Sequence, residues 1–197
     1  MSRVEVPDEG SGAARVSLTL LLGGARSGKS RIAERVIASS PGEVALIATA
    51  EARDEEMAER IRRHREVRPG GWRVIEEPLD LVGAMVEVAP STHVIIDCLT
   101  LWVSNLIEAG LDDAAVEARA AETLAVVQGH RADIVVVSNE VGSGIVPINA
   151  LARRYRDLLG KVNGIWADGS DQVLLSVAGG VVPVRPVESL WGYSTDG

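Results

Sequence analysis

Phenylalanine is absent from this 197-residue chain, and aromatic residues make up only 3% of it. A core must therefore be built from Val, Leu, Ile and Ala, and a hydrophobic fraction of 46% suffices for one domain with such a core. The single cysteine, Cys98, excludes an internal disulfide framework and suits a reducing compartment. A net charge of −8 lacks the basic footprint of a general nucleic-acid binder, although a small anionic ligand needs only local positive charge. No apolar run has the length needed to span a bilayer. The N-terminus carries no apolar signal-peptide core, so the expected location is the cytoplasm, with no membrane span and no nucleic-acid partner.

What is present is an alternation of short apolar runs and helical patterns. Residues 1–16 are rich in Gly, Ser, Glu and Asp and read as a flexible N-terminal extension. Strands are expected near 18–22, 44–48, 73–75, 93–97, 134–138 and 172–178, and helices near 29–38, 54–66, 79–88, 98–108, 113–128 and 148–165. Pro147 is placed in the first turn of the last helix, where its missing N–H costs nothing. Continuous β-branched runs such as Ile134 to Val137 belong to strands buried on both faces, which favours a parallel sheet covered by helices. The chain thus reads as one doubly wound α/β domain over 17–185 and a C-terminal tail over 186–197, with at best a strand after Val181.

The apolar run Leu18 to Leu22 leads into Gly23-Gly24-Ala25-Arg26-Ser27-Gly28-Lys29-Ser30, the G-x-x-x-x-G-K-S spacing of a phosphate-binding loop. Glycines let the backbone turn through φ > 0 and aim N–H groups at phosphate oxygens. Lys29 supplies a point charge for the β- and γ-phosphates, Ser30 a hydroxyl for Mg²⁺, and the following helix its positive end. Val94-Ile95-Ile96-Asp97 is a second nucleotide signature, an apolar strand ending in a carboxylate that can hold Mg²⁺ directly or through water.

Two further constellations stand out. In RDEEMAERIRRHREVR at 53–68, Met57, Ile61 and His64 fall on one helix face. His64 either closes a core stripe or acts as a nucleophile. The surrounding Arg60, Arg62, Arg63, Arg65 and Arg68 disfavour the imidazolium and can bind a triphosphate, or form a solvated charged face. Ser138-Asn139-Glu140-Val141-Gly142-Ser143-Gly144 follows an apolar strand and is either a ligand loop at a carboxyl end or an ordinary connection. Arg153, Arg154 and Arg156 follow it, some of them on a solvent face. His93 and His130 lack a comparable setting and read as structural or exposed.

Taken together, GGARSGKS at 23–30, IATAEARDEEMAERIRRHREVRP at 47–69, DCLTLWVSNL at 97–106 and SNEVGSGIVPINALARRYRDLLGKVN at 138–163 resemble the bifunctional adenosylcobinamide kinase / adenosylcobinamide-phosphate guanylyltransferase family of cobalamin biosynthesis. The resemblance spans about 17–185. It implies a RecA-like P-loop NTPase fold, a mostly parallel sheet flanked by helices, assembled as a homotrimer. It implies that adenosylcobinamide is phosphorylated by ATP or GTP with Mg²⁺, and that GMP from GTP then passes through an enzyme histidine to adenosylcobinamide phosphate, giving adenosyl-GDP-cobinamide. The family's guanylylated histidine falls on His64. Its nucleotide contacts fall on Gly23 to Ser30, on Ala48, Thr49 and Ala50, on Arg65, Glu66, Val67 and Arg68, on Glu76 and on Asp97, with Ser30 and Asp97 as metal ligands. The family often has two adjacent histidines where this chain has Arg63-His64, and often a Gln where it has Gly164. Outside this resemblance, a different P-loop small-molecule kinase explains the loop and Asp97 but leaves His64 and its arginines without a purpose. A RecA-type motor or regulator would need more partner-binding surface than this acidic chain offers.

Overall fold

The alternation of apolar runs and helical patterns produces seven strands and six helices among the residues that the computed structural model describes, 17–66 and 70–186. The expected N-terminal extension, Val67 and Arg68 of the candidate nucleotide set, and residues 187–197 lie outside the described residues. In chain order the elements are β1 (Leu18–Gly23), α1 (Lys29–Ile37), β2 (Val44–Ala48), α2 (Glu55–Glu66), β3 (Arg73–Glu76), α3 (Leu81–Val86), β4 (His93–Asp97), α4 (Leu99–Glu108), α5 (Asp113–Gln128), β5 (Ile134–Val137), α6 (Ala150–Asp168), β6 (Gln172–Val177) and β7 (Gly180–Val184). They form one sheet in the order β3-β2-β4-β5-β1-β6-β7, parallel throughout except for the antiparallel β6–β7 pair. None of the described helices is long and apolar enough to cross a membrane.

Successive strand residues point to opposite faces, and the central strands bury both. Leu20, Ile96 and Val136 join the larger cluster, under α3, α4, α5 and α6, while Leu21, Ile95 and Val135 join the smaller one, under α1. Without phenylalanine, the bulk is supplied by aliphatic residues and by Trp102 and Trp166, both fully buried.

Helix α6 runs on to Asp168, past its expected end at 165, and three other differences from the sequence expectation have a visible cause. Helix α3 starts at Leu81 and not at 79, because the Asp80 carboxylate accepts from the Gly83 N–H at 3.1 Å and so stands as its cap. Helix α6 starts at Ala150 and not at 148: Asn149 caps it, its Oδ1 accepting from Leu151 N (2.7 Å) and Ala152 N (3.3 Å). Pro147 therefore precedes the cap and is not in the first turn. A full seventh strand follows β6, because Ala178 (φ 51°) and Gly179 (φ 81°) both take the left-handed conformation that a two-residue hairpin turn requires.

Candidate functional site

The register of the parallel strands lines up one row across the sheet: Glu76, Ala48, Asp97, Val137 and Leu21 are successive Cα partners. Glu76, Ala48 and Asp97 each close a strand, so the connections that follow leave the same carboxyl edge as the loop after β1. Asp97 stands two strands from β1, roughly 10 Å at the usual spacing of about 4.8 Å per strand. Beyond the row, β5 continues beside β1, with Ser138 N donating to Leu21 O (3.0 Å) and Glu140 N to Gly23 O (3.1 Å). The Ser138-Asn139-Glu140 segment is thus brought against the Gly23–Ser30 loop.

The loop is shaped by specific backbone demands. Gly23 has φ +154°, and a Cβ there would sit 2.7 Å from the carbonyl oxygen of Ser176 and from Ser27 Oγ. Gly28 (φ 93°) is the N-cap of α1 and has no side chain with which to cap it. The first-turn N–H groups of α1 therefore have no side-chain acceptor at the cap, which is the arrangement that binds anions. Arg26 also lies at positive φ (58°), on the exposed crest of the loop beside Gly24 and Ala25. Lys29 is nearly buried, at 7% exposure, and its Nζ donates to Gly23 O (2.9 Å), Gly24 O (2.6 Å) and Ser27 Oγ (3.4 Å). Ser30, one residue on, is half-buried in the first turn. Strand β6 braces the loop as well, a contact that no local pattern signals: Ser176 Oγ donates to Ser27 O at 3.0 Å.

Beside the loop, the ends of β2 and β4 are stitched together. Thr49 is fully buried; its N–H donates to Asp97 O (3.1 Å) and its hydroxyl to Cys98 O (2.8 Å), while Cys98 N donates to Thr49 Oγ1 (2.8 Å). Asn105, on the apolar stripe of α4, donates from Nδ2 to Thr49 O (2.9 Å) and Pro78 O (3.0 Å). Its Oδ1 accepts from Arg53 Nη2 at 2.9 Å, and Arg53 is also paired with Glu51 and Glu108. Sequence reasoning missed this cluster; the available signal was a lone amide among Leu99, Trp102, Val103 and Leu106.

Helix α2 follows directly, capped by Asp54, whose Oδ1 accepts from Met57 N at 2.7 Å. His64, Arg65 and Glu66 lie in its last turn. Met57 and Ile61 are half-buried, so the expected core stripe is only a partly covered ridge. Arg62 and Arg63 both donate to Glu59, from Arg62 Nη2 at 2.7 Å and Arg63 Nε at 2.8 Å. For these two the charged-face reading holds. Hydrogen bonds from Arg62 and then Arg63 hold the Glu59 carboxyl at about 2, below its usual 4.5.

The polar start of the 138–149 connection is tied into the fold. Ser138 Oγ donates to Asn163 Oδ1 (2.7 Å), Asn163 Nδ2 to Asn139 O (3.0 Å), and Asn139 N to Thr100 Oγ1 (2.7 Å). Tyr155 donates to Thr100 O (3.1 Å), and burial, reinforced by Cys98, pushes its phenol above the usual value, so it stays protonated. Further on, Ile145 and Ile148 are each 97% exposed, and the start of α6 faces α4 across a groove of about 290 Å³ lined by Ile107, Asn149, Leu151 and Tyr155 among others. Arg153 donates to Pro147 O, Arg154 pairs with Asp113 and Arg156 with Asp157. Gly164 faces open space. His93 and His130 are structural: His93 Nδ1 accepts from Asp133 N (3.1 Å), and His130 Nε2 lies 2.7 Å from Thr92 O.

The chain is similar to proteins of known role. It is 42% identical over 84% of its length, and 96% of the relative's, to the bifunctional adenosylcobalamin biosynthesis protein CobP of Pseudomonas aeruginosa. It is also 42% identical to the bifunctional adenosylcobalamin biosynthesis protein CobU of Salmonella typhimurium, over 85% of this chain and 99% of that one. Among solved structures, a prototypical ATPase from the type III secretion system of pathogenic bacteria superposes with a TM-score of 0.50 at 10% identity, covering 81% of this chain and 50% of that chain. That likeness concerns the fold alone, a mostly parallel sheet with flanking helices. The profile of the family described as "Cobinamide kinase / cobinamide phosphate guanyltransferase" matches residues 19–184, and with the two relatives it establishes that this chain belongs to the cobinamide kinase / cobinamide phosphate guanyltransferase family.

Proposed function

We propose that this chain phosphorylates adenosylcobinamide with a nucleoside triphosphate and then transfers GMP from GTP, through His64, to the phosphorylated product. The observation that carries the reading is the register row that gathers Glu76, Ala48 and Asp97 at the edge where the Gly23–Ser30 loop emerges. Thr49 and Ala50 continue from that row toward α2, which bears His64, Arg65 and Glu66.

In the first reaction the phosphates lie along the loop and the N–H groups of α1. Lys29 exchanges its carbonyl acceptors for phosphate oxygens, a fixed charge that costs little reorganisation at the moment of transfer. The cobinamide hydroxyl attacks the γ-phosphorus, the new O–P bond forms, and the bond to the β-phosphate oxygen breaks. In the second, a neutral imidazole nitrogen of His64 attacks the α-phosphorus of GTP and pyrophosphate leaves. A phosphate oxygen of cobinamide phosphate then attacks the same phosphorus, the P–N bond breaks and His64 is regenerated. Two displacements replace one harder step. Ser30 and Asp97 are a hydroxyl and a carboxylate, the kind of small oxygen donor set that holds Mg²⁺ together with phosphate oxygens. The ion would supply charge neutralisation at the phosphates. Either ATP or GTP serves the first reaction.

The exposed apolar residues Ile145 and Ile148, on the connection whose start lies against the phosphate loop, offer a resting surface for a bulky macrocycle. Half-exposed Val181, Val182 and Val184 on the edge strand β7 support assembly, with a homotrimer as the expected form. The single thiol supports a cytoplasmic location.

The test is incubation with GTP labelled at its α-phosphate. Label is expected on the wild-type protein and not on His64→Asn. Full labelling of His64→Asn sinks the assignment.

A further inference from the structure

The helix that carries His64, α2, has no buried anchor among its described side chains, and Met57 and Ile61 are only half-covered. Its start, by contrast, is firmly tied. The amide of Asn105, 5% exposed, donates to Thr49 O and Pro78 O, joining the turn after β2 to the turn after β3. The same amide's oxygen accepts from Arg53, whose guanidinium also engages Glu51 (Nε to Oε2, 2.8 Å) and Glu108. Glu108 is itself held, its Oε1 accepting from Ser104 Oγ at 3.1 Å. Asp54, the next residue, caps α2. The guanidinium therefore joins α4 to the last residue before the cap.

We propose that Arg53, seated on Asn105, is the positioning residue for guanylyl transfer, fixing the direction in which α2 carries its histidine toward the triphosphate. The proposal rests on the reading of His64 as the nucleophile. His64 lies ten residues beyond Asp54, a lever of about 15 Å at 1.5 Å per helical residue, so a tilt of ~10° at the clasp displaces it by about 3 Å. A misplacement of ~1 Å is enough to cost on the order of 100-fold in rate. The phosphate loop does not depend on this lever, being braced by β6, Glu140 N and Lys29. The two reactions should therefore separate when the clasp is loosened.

Arg53 is the useful position to change, because its side chain is 42% exposed and its ion pairs with Glu51 and Glu108 reach solvent. Exposed pairs contribute little to stability, whereas Asn105 is buried and its loss endangers the fold. The experiment compares full-length wild type, Arg53→Ala and Arg53→Lys in two measurements: the single-turnover rate of protein labelling by α-phosphate-labelled GTP, and ATP-dependent phosphorylation of adenosylcobinamide. Arg53→Ala is expected to label about 100-fold more slowly, with phosphorylation within about threefold of wild type, as loss of a solvent-exposed pair implies. Arg53→Lys should fall between, since a single ammonium cannot serve the amide and both carboxylates as a planar fork does. Wild-type labelling rates in Arg53→Ala, or equal loss of both activities, overturn the proposal. An unlabelled wild-type protein overturns the histidine reading itself, and this proposal with it.

Discussion

Replacing Gly23 with alanine probes the contact between the phosphate loop and β6. A Cβ at this position would lie 2.7 Å from Ser176 O, 2.7 Å from Ser27 Oγ and 3.1 Å from Ser176 Cβ. Ser27 Oγ can rotate aside. Ser176 O cannot, because Gly23 and Ser176 are register partners of the β1–β6 pair. The backbone at φ +154° adds a second penalty for any L side chain. Forced overpacking costs about 1–3 kcal/mol and a disfavoured backbone about 1–3 kcal/mol, so the loss should be roughly 2–6 kcal/mol, a large share of a typical domain stability of about 5–15 kcal/mol. Urea unfolding followed by tryptophan fluorescence reads it directly, since Trp102 and Trp166 are fully buried. Gly24→Ala is the matched control: no atom lies within 4 Å of its added Cβ, so its stability should stay within about 0.5 kcal/mol of wild type. A Gly23→Ala protein as stable as wild type, or two equally destabilised variants, refutes the reasoning.

Two further outcomes follow from the site. Lys29→Ala should lower nucleotide-dependent phosphorylation by about 100-fold or more, the scale for losing a preorganised charge stabiliser; steady-state turnover with adenosylcobinamide checks it, and unchanged turnover removes Lys29 from the reaction. Glu59, held at about 2 by Arg62 and Arg63 against a usual 4.5, has a depressed folded-state pKa. Its pairing therefore supports α2 fully above the ordinary carboxylate range and is lost as pH falls from there toward about 2. NMR titration of the Glu59 carboxyl should show this low midpoint, moving upward at about 1 M salt because the pair is exposed. A midpoint at the ordinary value in low salt contradicts the pairing.

Much of the fold was legible because it rests on local rules. The β-branched runs at 94–96 and 134–137 can only be strands with both faces covered, and all but the last strand lie within a residue or two of their expected positions. The errors came where two local signals competed. Asn149 captured the start of α6 from Pro147, since a side-chain oxygen that satisfies two helix N–H groups is the stronger signal. Asp80 shortened α3 in the same way. Strand β7 was missed as a definite element because Ala178, not glycine, occupies the first positive-φ position of its hairpin.

The sequence by itself determined the chemistry available to this protein: a glycine-rich loop ending in Lys29 and Ser30, a carboxylate at Asp97, and a histidine among arginines. Those properties are carried by residue type and short spacing, which a linear chain displays in full. Tertiary structure alone decided how they meet. Strand register set Glu76, Ala48 and Asp97 in one row, although 21 residues separate Asp97 from Glu76 and 28 separate Glu76 from Ala48. The Asn105–Arg53 clasp and the Ser176 brace join residues 52 and 149 positions apart. Such contacts depend on which strands become neighbours, and that is settled by burying both faces of the sheet rather than by any local preference.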